Sequence, residues 1–107
     1  MNGYNVGSYV LYDGGFTTNH IQLSDAITNY RRVGFILSNT PTNPETYNPS
    51  FDKEAIDYIK SNSKNIRVIG WDTYYRDYSI SADGKTLNSL NGDQLGTIKI
   101  IGYGKLA

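Results

Sequence analysis

Arg32 to Ser38 reads RVGFILS, a run apolar almost without interruption. Such a run is what a strand covered on both faces requires, and it predicts the central strand of a β fold. Before it, Tyr9-Val10-Leu11-Tyr12 is aromatic and β-branched. It ends at Asp13-Gly14-Gly15, residues that tolerate positive φ, so a strand followed by a turn is expected. His20-Ile21-Gln22-Leu23 alternates apolar and polar at period two and predicts a second strand, joined to the first as a hairpin through Asp13 to Asn19. Ser24 to Tyr30 is too short and polar for a stable helix. It predicts a structured crossover in which Ile27 and Tyr30 plug the open end of a sandwich.

After Ser38 the texture changes. Asn39 to Ser50, NTPTNPETYNPS, holds all three prolines. Proline removes a ladder donor, which excludes a central strand and predicts a surface loop. Phe51 to Lys60, FDKEAIDYIK, places Phe51, Ala55, Tyr58 and Ile59 on one helical stripe, with Ser50 as N-cap and Asp52 and Glu54 at the positive helix start. One short helix near 51–60, packed over an end or edge of the sheets, is the expectation. Asn65 to Trp71 reads as a strand. Tyr74 to Ala82 then alternates, with Tyr74, Arg76, Tyr78 and Ile80 on one face and Tyr75, Asp77, Ser79 and Ser81 on the other. Asp83-Gly84 is a two-residue hairpin signal before a returning strand over Lys85 to Leu90. Asn91-Gly92 marks a further turn, and Leu95 to Tyr103 makes the final strand. The sum is an all-β, mainly antiparallel fold: a sandwich or jelly-roll-like barrel of about seven strands. Residues 8–107 form its single domain, and residues 1–7 are a flexible lead or linker.

Charge and reactive groups narrow the function. The 107 residues carry ten basic and ten acidic side chains and no net charge, which gives no basic footprint for nucleic acid. No apolar stretch reaches the ~18 residues of a spanning helix, so no membrane insertion is expected. Without cysteine there is neither a disulfide framework nor a thiolate metal site. His20 is the single histidine and has no Gly-x-Ser-x-Gly elbow to serve. One imidazole plus carboxylates is a poor zinc ligand set. Asp72, Asp77, Asp83 and Asp93 lie in or near turns but lack the spacing of a calcium loop. Asp52, Glu54 and Asp57 share a solvated helix and do not face one another across a cleft, as glycoside hydrolysis needs. Gly84-Lys85-Thr86 lacks the upstream glycine of a phosphate loop. The chain is read as non-catalytic, with no cofactor and no metal.

Recognition remains. There are ten tyrosines, each a large rigid surface with one hydroxyl, suited to strands and equally to interfaces and sugars. Trp71 to Tyr78, WDTYYRDY, combines aromatic faces with a guanidinium and carboxylates, and it nominates Tyr75, Arg76 and Asp77 as ligand contacts. The same stretch also reads as core, with Trp71, Tyr74 and Tyr78 inside and Arg76 paired with Asp77 or another acid. The prolyl loop nominates Asn43, Tyr47 and Asn48, beside Glu45, as a second surface.

Leu23-Ser24-Asp25-Ala26-Ile27-Thr28-Asn29-Tyr30 followed by a hydrophobic strand resembles a module near the C-termini of tail fibre and baseplate proteins of phages and prophages of Gram-positive bacteria. Tyr12-Asp13-Gly14 stands where those relatives often carry Trp-Ser-Gly, and Thr97 to Tyr103 looks like their closing strand. Thr40 to Ser63 has no counterpart. The resemblance implies a receptor-binding β-sandwich in the virion, made in the bacterial cytoplasm. It also implies a homotrimer that contacts other tail proteins and binds cell-wall polysaccharide or teichoic acid. The alternatives are a baseplate-decorating module making only protein contacts and a carbohydrate-binding accessory module of a wall-degrading enzyme.

Overall fold

The structure is a computed structural model and describes residues 6–70 and 74–107. Two four-stranded antiparallel sheets face each other. The first holds β1 (Ser8–Tyr12), β8 (Gly96–Lys105), β3 (Tyr30–Ser38) and β4 (Ser50–Asp52), in that order. The second holds β2 (Ile21–Gln22), β7 (Thr86–Gly92), β6 (Tyr75–Ile80) and β5 (Ile66–Ile69). A 3-10 turn at Ile27–Asn29 and a helix, α1 (Lys53–Ser61), close one end.

Period-two alternation decides what goes inside. Leu11, Val33, Phe35, Leu37 and Ile100 from the first sheet meet Ile21, Ile66, Val68, Tyr78 and Leu87 from the second. Phe35 stacks on Tyr78 with ring centroids 6.4 Å apart, and Phe51 meets Phe35 edge-on at 5.7 Å. The Tyr78 hydroxyl shares a 2.8 Å hydrogen bond with Thr97 Oγ1, so the phenol crosses the interior without an orphaned polar atom.

Several expectations change. Eight strands form among the described residues; the added one is β4, because Phe51 pairs with Val33 and fills a core site that a helix start at 51 would vacate. Ser50 is therefore extended and does not cap α1. The helix instead follows Asp52 and buries Ile56 fully, with Ile59 partly covered, while Ala55 and Tyr58 face solvent. It stops at a Schellman turn: Lys64 N–H donates to Ile59 O (2.9 Å), with Ser63 at φ 53° where glycine is usual. β1 and β2 are not a hairpin. The intervening chain crosses between sheets, pinned where Thr17 and Thr97 exchange two 2.9 Å backbone hydrogen bonds. β3 is interior to its sheet, but only one face is fully covered, and Gly34 and Ile36 are half-exposed on the other. Asn91-Gly92 belongs to β7, and the hairpin loop after β6 spans Ser81 to Lys85. The expected strand end at Trp71 and turn at Asp72-Thr73 lie outside the described residues.

The segment from Leu23 to Tyr30 is a knot of local bonds. Ser24 caps β1, its hydroxyl donating to Val10 O and its N–H to Leu11 O. Ile27 is fully buried and Tyr30 nearly so, which makes them the plug of this end. Asp25 accepts from Ala26 N–H, Asn29 Nδ2 and the Tyr30 hydroxyl, and pairs with Lys105 at 3.1 Å. Burial by itself pushes the Asp25 carboxyl up, but the bonds from Tyr30, Ala26, Lys105 and Asn29 together outweigh it and hold the pKa at about 2. A folded pKa below the unfolded value of 3.8 gives stability that is present above that pH and lost as pH falls toward 2. Urea midpoints measured from pH 7 to 2 should therefore drop across this window. Asp25→Asn should lower the midpoint at pH 7 and flatten the acid limb; an unchanged acid limb would refute the assignment.

Candidate functional site

Cross-strand register sets the outer face of the second sheet. Arg67 lies opposite Asp77, Ile69 opposite Tyr75, Ser79 opposite Asn88, and Gln22 opposite Thr86. Arg67 grips Asp77 with two parallel bonds, Nε to Oδ1 at 2.8 Å and Nη2 to Oδ2 at 2.9 Å. Its guanidinium carbon sits 4.1 Å from the Tyr75 ring centroid. The Asp77 hydrogen bond pushes the already high Arg67 pKa higher, so the cation is permanent. Asp77 is 7 % exposed and the Arg67 side chain 54 %. The pair is net neutral and rigid, since a forked bond fixes the guanidinium plane and the plane fixes the ring.

Arg76 does not join this face. It is buried, and its donors are spent on Leu95 O (Nε, 2.7 Å), Ser89 Oγ (Nη1, 3.0 Å) and Asp93 O (Nη2). It therefore pairs with neither Asp77 nor, among the described residues, any other acid. The prolyl loop is also largely committed to structure. Asn43 Oδ1 accepts from Glu45 N–H, and Tyr47 exchanges backbone hydrogen bonds of 2.8 and 2.9 Å with Leu37 while packing against the core; Asn48 is exposed. Of the six residues nominated from sequence, Tyr75 and Asp77 share one surface, with Arg67 as a partner that the WDTYYRDY reading missed. Alternation along Asn65 to Trp71, with Arg67 between Ile66 and Val68, is the signal that could have found it.

Two hollows had no signal in the sequence. One, about 480 Å³, lies at the start of α1 and is lined by Arg31, Asp52, Lys53, Glu54 and Asp57. Its Lys53 is already bound to Thr28 O and Asp57. The other, about 340 Å³, lies at the opposite end and is lined by Phe16, Asn39, Thr40, Pro41 and Gln94.

Among the described residues no cluster of three or more His, Asp or Glu side chains is placed to hold a metal ion. His20 Nδ1 accepts from Ser89 N–H at 3.0 Å, which ties the start of β2 to β7. Asp83 accepts from Lys85 N–H and the Ser81 hydroxyl, bonds that hold its carboxyl below the usual range. Asp93 accepts from Tyr75 N–H at 3.2 Å, whereas Asp72 lies outside the described residues. No described helix is long and apolar enough to cross a membrane. Comparison with family models, with curated proteins and with solved structures gave no match to this chain.

Proposed function

We propose that this chain is a non-catalytic host-recognition domain of a phage or prophage tail tip that binds a bacterial cell-surface glycan. The observation that carries the reading is the Arg67, Tyr75 and Asp77 assembly on the outer face of the second sheet. A sugar presents apolar C–H faces and a ring of hydroxyls. The assembly offers an aromatic edge and a half-exposed guanidinium that the buried Asp77 carboxylate holds in place, with Ser79, Asn88, Thr86 and Gln22 continuing the polar surface across the sheet. Ile69, half-exposed opposite Tyr75, adds apolar area. The resemblance of Leu23 to Tyr30 to tail-protein modules supplies the biological setting.

The test is sedimentation of the purified chain with cell walls of Gram-positive bacteria. Tyr75→Ala should weaken wall binding about tenfold while lowering the melting temperature by only a few degrees, as expected for a half-buried ring at a surface cation contact. Undiminished binding would remove this face from the reading, and a collapse in stability would make Tyr75 structural.

A second reading, a baseplate module making only protein contacts within a trimer, draws on the outer face of the first sheet. Val10, half-exposed, lies in register with Ile101, and Ile101 lies beside Gly34, in a row free of charge. Absence of wall binding by the folded chain would favour it over the first, since light scattering at three times the 12.0 kDa chain mass is expected of both.

A further inference from the structure

Three loops remote in sequence meet at the end of the sandwich away from α1: Phe16 from the β1–β2 connection, Asn39-Thr40-Pro41 after β3, and Gln94 before β8. They line an open hollow of about 340 Å³, at the small end of the range for small-molecule sites. Each wall is pinned. The Phe16 ring lies so close over Gly96 that a Cβ there would come within 2.5 Å of it, and neighbouring Thr17 is bonded to Thr97. The Ser38 hydroxyl donates to Thr40 O at 3.0 Å. Buried Arg76 holds the carbonyls of Asp93 and Leu95, on either side of Gln94. A guanidinium inside the sandwich thus sets the position of a side chain on its rim.

One residue of its wall carries an unmet demand. Asn39 Oδ1 is buried and accepts no hydrogen bond among the described residues, a condition native proteins rarely leave unresolved. No hydrogen bond to another described residue holds the Asn39 amide at either end, so a change of side-chain rotamer can carry the whole amide into the hollow, where a hydroxyl can donate to its oxygen and accept from its nitrogen. The lining fixes the donor's character. Phe16 and Pro41 are apolar, Thr40 and Gln94 offer a hydroxyl and an amide, and no lining side chain is charged. A phosphate or carboxylate would face the Asn39 oxygen with no cation to offset it. An uncharged sugar ring meets every requirement: a C–H face for Phe16 and Pro41, a hydroxyl to donate to Asn39, and others for Thr40 and Gln94.

We infer that this hollow is a sugar subsite for an uncharged unit of a polysaccharide, separate from the Tyr75 face. The inference rests on the glycan-binding reading and narrows it toward neutral polysaccharide and away from teichoic acid. The test is NMR of the ¹⁵N-labelled full chain titrated in turn with glucose, galactose, N-acetylglucosamine and, as the anionic comparator, glycerol phosphate. At least one sugar should shift the side-chain amides of Asn39 and Gln94 and the backbone of Thr40 together and saturably, with glycerol phosphate silent. Gln94→Ala, an exposed position, should weaken that sugar about fivefold. No saturable shift at these residues, as for a hollow that holds only water, overturns the inference, as does an equal response to glycerol phosphate. Wall sedimentation separates the two readings. Tyr75-dependent wall binding with a silent hollow sinks the subsite alone; sugar shifts at Asn39 without wall binding sink the host-recognition reading alone.

Discussion

Arg76→Met is expected to cost about 2–3 kcal/mol, read as a lower urea midpoint and a melting temperature reduced by roughly 10 °C. Methionine retains a flexible stem of similar reach but donates nothing. The carbonyls of Leu95 and Asp93 and the Ser89 hydroxyl would lose their donor. Hydrogen bonds to a charged donor contribute about 1.5–3 kcal/mol each, and removing one side leaves the buried acceptor unpaired. Against this, a buried cation no longer has to be desolvated, and no carboxylate is stranded, since no ion pair to Arg76 exists among the described residues. That offset keeps the expected loss below the sum of three bonds. Arg76→Lys should recover only part of it, because an ammonium lacks the fork that reaches all three acceptors. A loss under about 1 kcal/mol for methionine would mean that the connection before β8 rearranges to reach water, and that Arg76 does not fix Gln94.

Ile56→Ala should be costlier still, at about 3–4 kcal/mol, whereas Tyr58→Ala should stay within about 0.5 kcal/mol of the parent. Ile56 is fully buried between α1 and the sheets, and truncation leaves a cavity that the strands, tied by their ladders, cannot collapse into. Tyr58 is 61 % exposed on the opposite side. Chemical denaturation of both variants decides between this helix orientation and the stripe of Phe51, Ala55, Tyr58 and Ile59 suggested by spacing. Equal losses would favour the stripe.

That reversal shows where the sequence could be read and where it could not. The apolar stripe was anchored on Phe51, which β4 takes as a strand residue facing Phe35, so Ala55 and Tyr58 were assigned inward one step out of phase with Ile56, and only Ile59 kept its place. Alternation, by contrast, is a local property. It marked Ile21 and Tyr78 as core-facing, as the structure has them, and it separated Tyr75 from Arg76. Pairing is not local: nothing in Asp13 to His20 announces that the chain changes sheets there, because the partner that holds it, Thr97, is eighty residues away. The sites divide in the same manner. Tyr75 and Asp77 come from one strand and could be nominated together. Phe16, Asn39 and Gln94 gain meaning only when three loops meet, and the buried guanidinium that holds one of those loops was nominated, in sequence, as a ligand contact or the partner of an acid.

The strand order also sets the sequence of events during synthesis. β5, β6 and β7 follow one another and pair with their neighbours, so their sheet can assemble as soon as it leaves the ribosome. β8 is made last yet lies between β1 and β3, joining Ser8 to Tyr103 and Tyr30 to Lys105. Until it emerges, β1 has no ladder to join and β3 only its short one with β4, so their apolar sides stay largely exposed. A nascent chain halted before Gly96 would thus hold half a sandwich, and its unpaired strands would be the natural targets of chaperones and proteases.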